Sequence, residues 1–282
     1  MASLENKIDF AVIMVVNNAN PNGDPLNGNR PRVNYDGLGE ISDVCIKRKI
    51  RDRLVEAGKS IFVQSDDNRQ DDYVSLRARA EGELKALMKD EERFREEACK
   101  KWIDVRAFGQ VFAFKGSEQG VSIGIRGPVS IHSAFSVAPV DVSSIQITKS
   151  VSSDGDGKKK SSDTMGMKHR VDHGVYVFYG SINPQLATKT GFSAEDANDI
   201  KGALINLFQN DASSARPEGS MEVYKVYWWE HNSRNGQYSS AKVHRSLQVS
   251  LKSDVTEPKD IGDYDIQIHT LGNLEPEIIE GR

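Results

Sequence analysis

The first apolar run, "IDFAVIMVV" (8–16), is hydrophobic at odd and even positions alike. That pattern predicts a central β-strand covered on both faces, since a half-solvated strand would alternate. Beyond a glycine-rich loop the period changes: Ile46, Ile50, Leu54 and Ala57 form one stripe at about 100° per residue, predicting a helix. Ser42 or Asp43 is its N-cap and Gly58 its C-terminal stop. Residues 59–72 are polar after a short apolar start. Residues 73–101 predict one long, solvated helical stretch with acid–base neighbours such as Glu91 and Arg95.

Apolar β-like runs return at 102–114, 121–137 and 140–151, and 152–163 is a low-complexity stretch around Lys158–Lys160. A strand is expected over 169–183. Ser193 and Asp196 then suggest a capping box before the helical stripe Ala197, Ile200, Leu204, Leu207 and Phe208. "MEVYKVYWW" (221–229) is a further strand, with weaker ones near 246–251 and 264–269. The strongest elements therefore predict an α+β fold in the β-α-β-β-α-β, ferredoxin-like order used by RNA-recognition domains, with a helical insertion.

Length and composition narrow the class. A chain of 282 residues fits one elaborated domain or a domain with a large insertion. It is 38% hydrophobic and 28% charged, and no apolar run approaches the roughly 18 residues of a membrane span. The opening "MASLENKIDF" lacks the apolar core of a signal peptide, and Cys45 and Cys99 stand in no metal-ligand spacing, so a reducing cytoplasm is expected. The net charge of −4 is unevenly spread: residues 253–282 hold eight acids against Lys259 and Arg282, leaving 35 bases and 33 acids elsewhere. A local basic stripe can therefore still attract a phosphate backbone.

The loop "NPNGDPLNGNRPRVNYDGLGE" (20–40) comes near two phosphate-binding motifs and completes neither. Gly23 and Gly28 have Walker A spacing, but Asn29 and Arg30 stand where its lysine and hydroxyl belong. Gly37 and Gly39 are followed by Ser42 in place of a third glycine, and the loop is too long for a pyrophosphate turn. No nucleotide cofactor is expected. Two readings remain: an anion cradle using Asn20, Asn22, Arg30 and Arg32, or a long loop whose asparagines cap its own turns. The next helix carries Lys47, Arg48, Lys49, Arg51 and Arg53 with Asp52 the only acid among them, either a phosphate-contacting face or a solvated one.

The strings "NPNGDPLNGNRPR", "YDGLGEISDVCIKRKIRDRL", "TMGMKHRVDHGVYVFYGSIN" and "NDASSARPEG" followed by "VYKVYWWEH" resemble the CRISPR-associated protein seven family, above all the type I-C Cascade backbone subunit. The resemblance implies a modified RNA-recognition (RRM) palm over 1–58 and 116–282, a helical finger over 59–115 and a thumb hairpin within 140–170. Such subunits polymerise along crRNA beside five-, eight- and eleven-type subunits, and leave the bases free to pair with target DNA. By position it implies Lys47, Lys49 and Arg51 as phosphate ligands, with Arg48 facing another subunit or solvent, and Asn20, Asn22, Arg30 and Arg32 as loop contacts. Met165, Met167, Lys168 and Arg170 lie at the thumb base, where the methionines either wedge against bases or fill core gaps. Arg216 contacts RNA or belongs to an ordinary turn. Tyr224, Tyr227, Trp228 and Trp229 are not expected to form a base-stacking platform, because alternation buries at least half of them.

The competing class is a metal-dependent endoribonuclease using a loop aspartate, Asp24 or Asp36. No paired-carboxylate or nucleophile-elbow pattern accompanies them. His169 and His173 lie four apart on an expected strand, poorly placed to share one metal. The reading favoured by the sequence is a non-catalytic scaffold.

Overall fold

A computed structural model describes residues 3–113, 122–148 and 165–282; the Lys158–Lys160 tip lies outside the described residues. Strand β1 (Ile8–Ala19) leads into the opening loop, which pairs β2 (Gly23–Asp24) with β3 (Arg30–Pro31) and then forms β4 (Leu38–Ile41). Helix α1 (Asp43–Glu56) follows, then α2 (Leu76–Leu84), α3 (Glu91–Lys101), α4 (Ile103–Phe108) and the paired strands β5 (Gly109–Ala113) and β6 (Ser122–Arg126). Next come β7 (Val129–Ile131), β8 (Ala134–Pro139), β9 (Val142–Thr148) and the long β10 (Met165–Ile182). Helices α5 (Pro184–Thr190) and α6 (Ala194–Ile205), strand β11 (Met221–Glu230), helix α7 (Ser240–His244), strands β12 (Leu247–Leu251) and β13 (Tyr264–Ile268), and β14 (Glu277–Glu280) complete the order.

The architecture is mixed α+β around a central antiparallel sheet. Its strand order is β14-β11-β1-β10-β8-β4, with β7 and β9 also paired to β10. The doubly apolar β1 is its middle. Phe10, Val12, Met14 and Val16 face α1, α5 and α6 and pack with Ile46, Ile50, Ile200 and Leu204. Ala11, Ile13 and Val15 face the other way, against Val243, Leu247, Tyr264 and Leu274 of the C-terminal segment. Both faces of the sheet centre are thus covered, as the run of apolar residues requires. Tyr227 and Trp229 join the second core and Trp228 stacks on Phe10 in the first, which takes them out of solvent.

Asp9 is the one charge buried in this strand at full depth. Its Oδ2 accepts from His231 Nε2 (2.9 Å) and Lys7 Nζ (3.0 Å). The Gln237 amide donates to His231 Nδ1 (2.9 Å), so the imidazole proton sits on Nε2 and points at the carboxylate. Burial alone would raise Asp9; the bonds from His231, Ser240 and Lys7 outweigh it and hold the carboxyl below its ordinary value.

At Asn18 the backbone turns left-handed, with φ of 54°, a conformation asparagine tolerates. The faces then exchange: Ala19 and its β10 partner Val171 belong to the helix-side core, although odd positions up to Val15 face the other way. The β9–β10 ribbon therefore presents the side bearing Val171 toward the helix layer.

A third apolar cluster, with Phe62, Leu84, Phe94, Trp102 and Phe112, lies within residues 61–125. The long helix expected over 73–101 is broken there. Helix α2 ends near Leu84 and α3 restarts behind an Asp90 cap, which lets Leu84 and Phe94 both reach the cluster. The β-like reading of 102–114 gives way to α4 before β5. Ile103 and Ala107 turn toward the main core and Val105 toward the third cluster, so the helix bridges the two. Two ion pairs with buried carboxylates fasten it: Arg106 to Asp196 (2.6 and 3.0 Å) and Arg51 to Asp104 (3.0 Å). Ser193 and Asp196 do form the expected capping box.

Gly180 in β10 lies against β1 and β7: an added Cβ would stand 2.2 Å from Phe10 Cζ and 2.6 Å from the Ser130 carbonyl. Because the carbonyl is backbone and cannot step aside, Gly180→Ala should destabilise the protein by about 1–3 kcal/mol. Urea unfolding checks this, and an unchanged midpoint would refute the packing described.

Candidate functional site

Four segments distant in sequence meet at the N-terminal half of α1. Ser42 caps the helix by accepting from the Cys45 amide (3.3 Å). Asn22 Oδ1 in turn accepts from the Ser42 amide (2.9 Å) and hydroxyl (2.8 Å), tying the opening loop to the cap. Asn20 is buried; its Nδ2 donates to the Asn29 carbonyl (2.7 Å), and its amide donates to the Ala215 carbonyl (2.9 Å) in the turn after α6. The side chains of Asn20 and Asn22 are thus engaged in building the loop itself. The glycines help locally: an added Cβ on Gly23 would sit 2.0 Å from Asn29 Oδ1.

The α1 cations divide. Lys47 pairs with Asp43 (2.9 Å), and Arg48 is more than half exposed, with Asp52 and Asp67 at 3.8 and 3.7 Å. Lys49 and Arg51 differ from the expected row of open cations. Lys49 is buried, bound to Asp211 and placed 5.4 Å over the Phe208 ring. Burial pushes its ammonium below the ordinary lysine value, and Asp211 only partly offsets this. Arg51 donates to Asp104, which also accepts from the Phe62 (2.7 Å) and Val63 (3.0 Å) amides. The cause is the partner: Asp211 and Asp104, each on another segment packed against α1, draw these two heads off the open surface. Arg53 is likewise buried, held by Glu56 (2.8 Å).

Arg30 connects the loop to the ribbon. Its Nη1 donates to Ser144 Oγ (2.7 Å) and lies 3.4 Å from His169 Nδ1, which is itself 2.9 Å from Ser144 Oγ. Along β10, Met165, Met167 and His169 share one face with Thr148, Gln146 and Ser144, their partners on β9. Both methionines are exposed, so neither fills a gap in the core. Lys168 and Arg170 occupy the opposite face, across from Ile145 and Ser143, and Arg170 pairs with Asp172 (3.3 Å). Arg32 pairs with Asp24 (3.4 Å), and Arg216 Nε donates to Asp211 (3.0 Å).

Sequence patterns did not flag Asp211, Asp104 or Ser144, because nothing local marks which distant cation a carboxylate or hydroxyl will meet. Asp24 is committed to capping the turn at Pro25–Asn27, accepting from the Leu26 amide (3.2 Å) as well as from Arg32. The Asp36 amide donates to Asn34 Oδ1 (3.0 Å) in its own turn. His173 turns from His169 toward Asn17 (2.7 Å). Among the described residues no group of three or more His, Cys, Asp or Glu side chains could hold a metal ion. What the surface offers is arginine donors, a tightly folded polar loop and exposed methionine side chains, groups suited to an anionic chain bearing flat apolar rings.

The sequence model of the CRISPR-associated protein Cas7 family matches residues 6–269. A Haloferax volcanii protein described as CRISPR-associated protein Cas7 is 27% identical over 229 residues, covering 74% of this chain. The match covers 66% of that relative, just under two thirds of its length. Among solved structures, a chain of a CRISPR RNA-guided surveillance complex, pre-nicking, has a TM-score of 0.51 at 14% identity. The match covers 89% of this chain and 84% of that one, a likeness of fold.

The buried and half-open cations should separate in stability measurements. Arg51→Ala leaves Asp104 buried without its counter-charge and is expected to cost about 3–5 kcal/mol, whereas Lys47→Ala should cost no more than about 1 kcal/mol. Urea denaturation of both variants checks the order, and equal costs would contradict it.

Proposed function

Since this chain belongs to the CRISPR-associated protein Cas7 family, we propose that it is a non-catalytic backbone subunit of a type I-C Cascade complex. In this role it binds crRNA along the sugar–phosphate chain and oligomerises on it, leaving the bases free for target DNA in an R-loop. The observation that carries the reading is the unbroken hydrogen-bonded path from the Asn20–Arg32 loop to the α1 cap, the Ser213–Arg216 turn and the Arg30–Ser144–His169 contact on the ribbon. A backbone-gripping protein needs such a surface drawn from several segments, because one short motif spans too few phosphates.

The order β1, α1, β8, β10, α6, β11 supports an RRM-like palm. Residues 59–115 form the finger in this reading, and 140–170 contain the thumb. Tyr227, Trp228 and Trp229 are packed in the cores of the sheet centre and offer no platform for stacked bases, which supports placing the RNA at the rim formed by loop, helix and ribbon. Arg30, Arg48, Lys168, Arg170 and Arg216 take phosphates, with Lys47 available if Asp43 releases it. Lys49 and Arg51 hold the helix in place, and exposed Met165 and Met167 wedge between bases. Partners are further copies and the five-, eight- and eleven-type subunits, in the cytoplasm and without a cofactor. Among the described residues no helix is long and apolar enough to cross a membrane.

Replacing Arg48 and Arg170 by glutamine should weaken single-stranded RNA binding alike across sequences. It should also reduce the slope of log K against log salt by about 0.7 per cation. Fluorescence anisotropy at several salt concentrations measures both, and an unaltered slope in the folded variant counts against the assignment. Sizing of RNA complexes should show copy number rising with RNA length; one copy at every length contradicts the backbone role. Metal-dependent RNA cleavage lost in Asp24→Ala or Asp36→Ala would overturn the non-catalytic reading.

A further inference from the structure

Among the cation–carboxylate contacts around α1, that of Asp211 differs from those of Asp43, Asp104 and Glu56 in its partners. Its Oδ2 accepts from two cations on separate segments, Lys49 of α1 and Arg216 of the Ser213–Arg216 turn. Asp43, Asp104 and Glu56 each hold one α1 cation. Asp211 is placed by Asn210, which is left-handed with φ of 53° and directs the chain back toward α1. The Lys49 head cannot leave: its side chain is 5% exposed and it lies over Phe208. Arg216 is different. Its side chain is about a quarter exposed, only its Nε is bonded to Asp211, and its backbone is pinned by Ser213 through bonds of 2.8 and 3.1 Å. The guanidinium fork can therefore turn outward while its Cα stays fixed.

We propose that Asp211 is a resident competitor for RNA phosphate: its carboxylate holds the anion position between Lys49 and Arg216, and the RNA backbone must draw Arg216 away from it. The inference rests on the guide-RNA reading above and adds a device that weakens it in a graded way. A carboxylate and a phosphate oxygen make similar charge-assisted bonds to a guanidinium, so the exchange is close to balanced and is governed by local charge. Asp211 also keeps Lys49 neutralised throughout, so only one cation changes partner.

Asp211→Asn keeps the shape and an acceptor oxygen but removes the competing charge. Binding of a fluorescein-labelled, mixed-sequence single-stranded RNA should tighten at low salt. In the wild type the near-balanced exchange leaves Arg216 on phosphate only part of the time, so the salt slope should steepen by up to about 0.7, at most a roughly two- to threefold greater loss of affinity between about 50 and 200 mM salt. Because Lys49 would be left unpaired, Lys49→Met/Asp211→Asn is the companion variant, which removes the buried charge by setting an apolar side chain against Phe208 while still freeing Arg216. In the background of Arg216→Gln either effect should vanish, the signature of coupling between the two residues. Weaker binding with an unchanged slope in the folded variants, or a gain that persists without Arg216, overturns the competitor role. Absence of salt-dependent RNA binding in the wild-type protein overturns the guide-RNA reading on which it rests.

Discussion

Burial of β1 on both faces is the constraint from which the remaining architecture follows. A strand with no solvated side needs a layer above and a layer below, and the chain supplies them from different regions. Helices α1, α5 and α6 close one face, and the segment from α7 to Leu274 closes the other. The single buried carboxylate in that strand, Asp9, is tolerated because His231 and Lys7 meet it. With both faces of β1 committed to cores, the polar loop after it, the start of α1 and the ribbon beyond Val171 gather at the strand's end.

The same division explains how far the sequence could be read. The apolar run of β1, the stripe of α1 and the capped α6 were legible because each is a local pattern imposed by one periodic element. The break between α2 and α3, and the appearance of α4 in a stretch that reads as strand, depend on a separate cluster formed by Phe62, Phe94 and Trp102. Such choices are tertiary, and no window along the chain records them. Strand β4 is short and takes its identity from its pairing with β8.

At the site, residue types were legible and their partners were not. Periodicity located Lys49 and Arg51 beside an apolar stripe, yet their fates were set by Asp211 and Asp104, some 162 and 53 residues away. Asn20 and Asn22 matched a loop of self-capping asparagines more closely than an open cradle. Arg30 does bridge to the ribbon, through a serine and a histidine that no motif pointed to.

The pairing of Asp104 bears on mechanics. This carboxylate simultaneously receives the Phe62 and Val63 main-chain amides and the guanidinium of α1, and the neighbouring Arg106 grips α6 with two bonds. Swinging the stretch at Phe62 and Val63, or α4, away from α1 would strand a charge away from water. These pieces therefore move with α1 and α6 as one body, and bending of the molecule must come from segments without such a clamp.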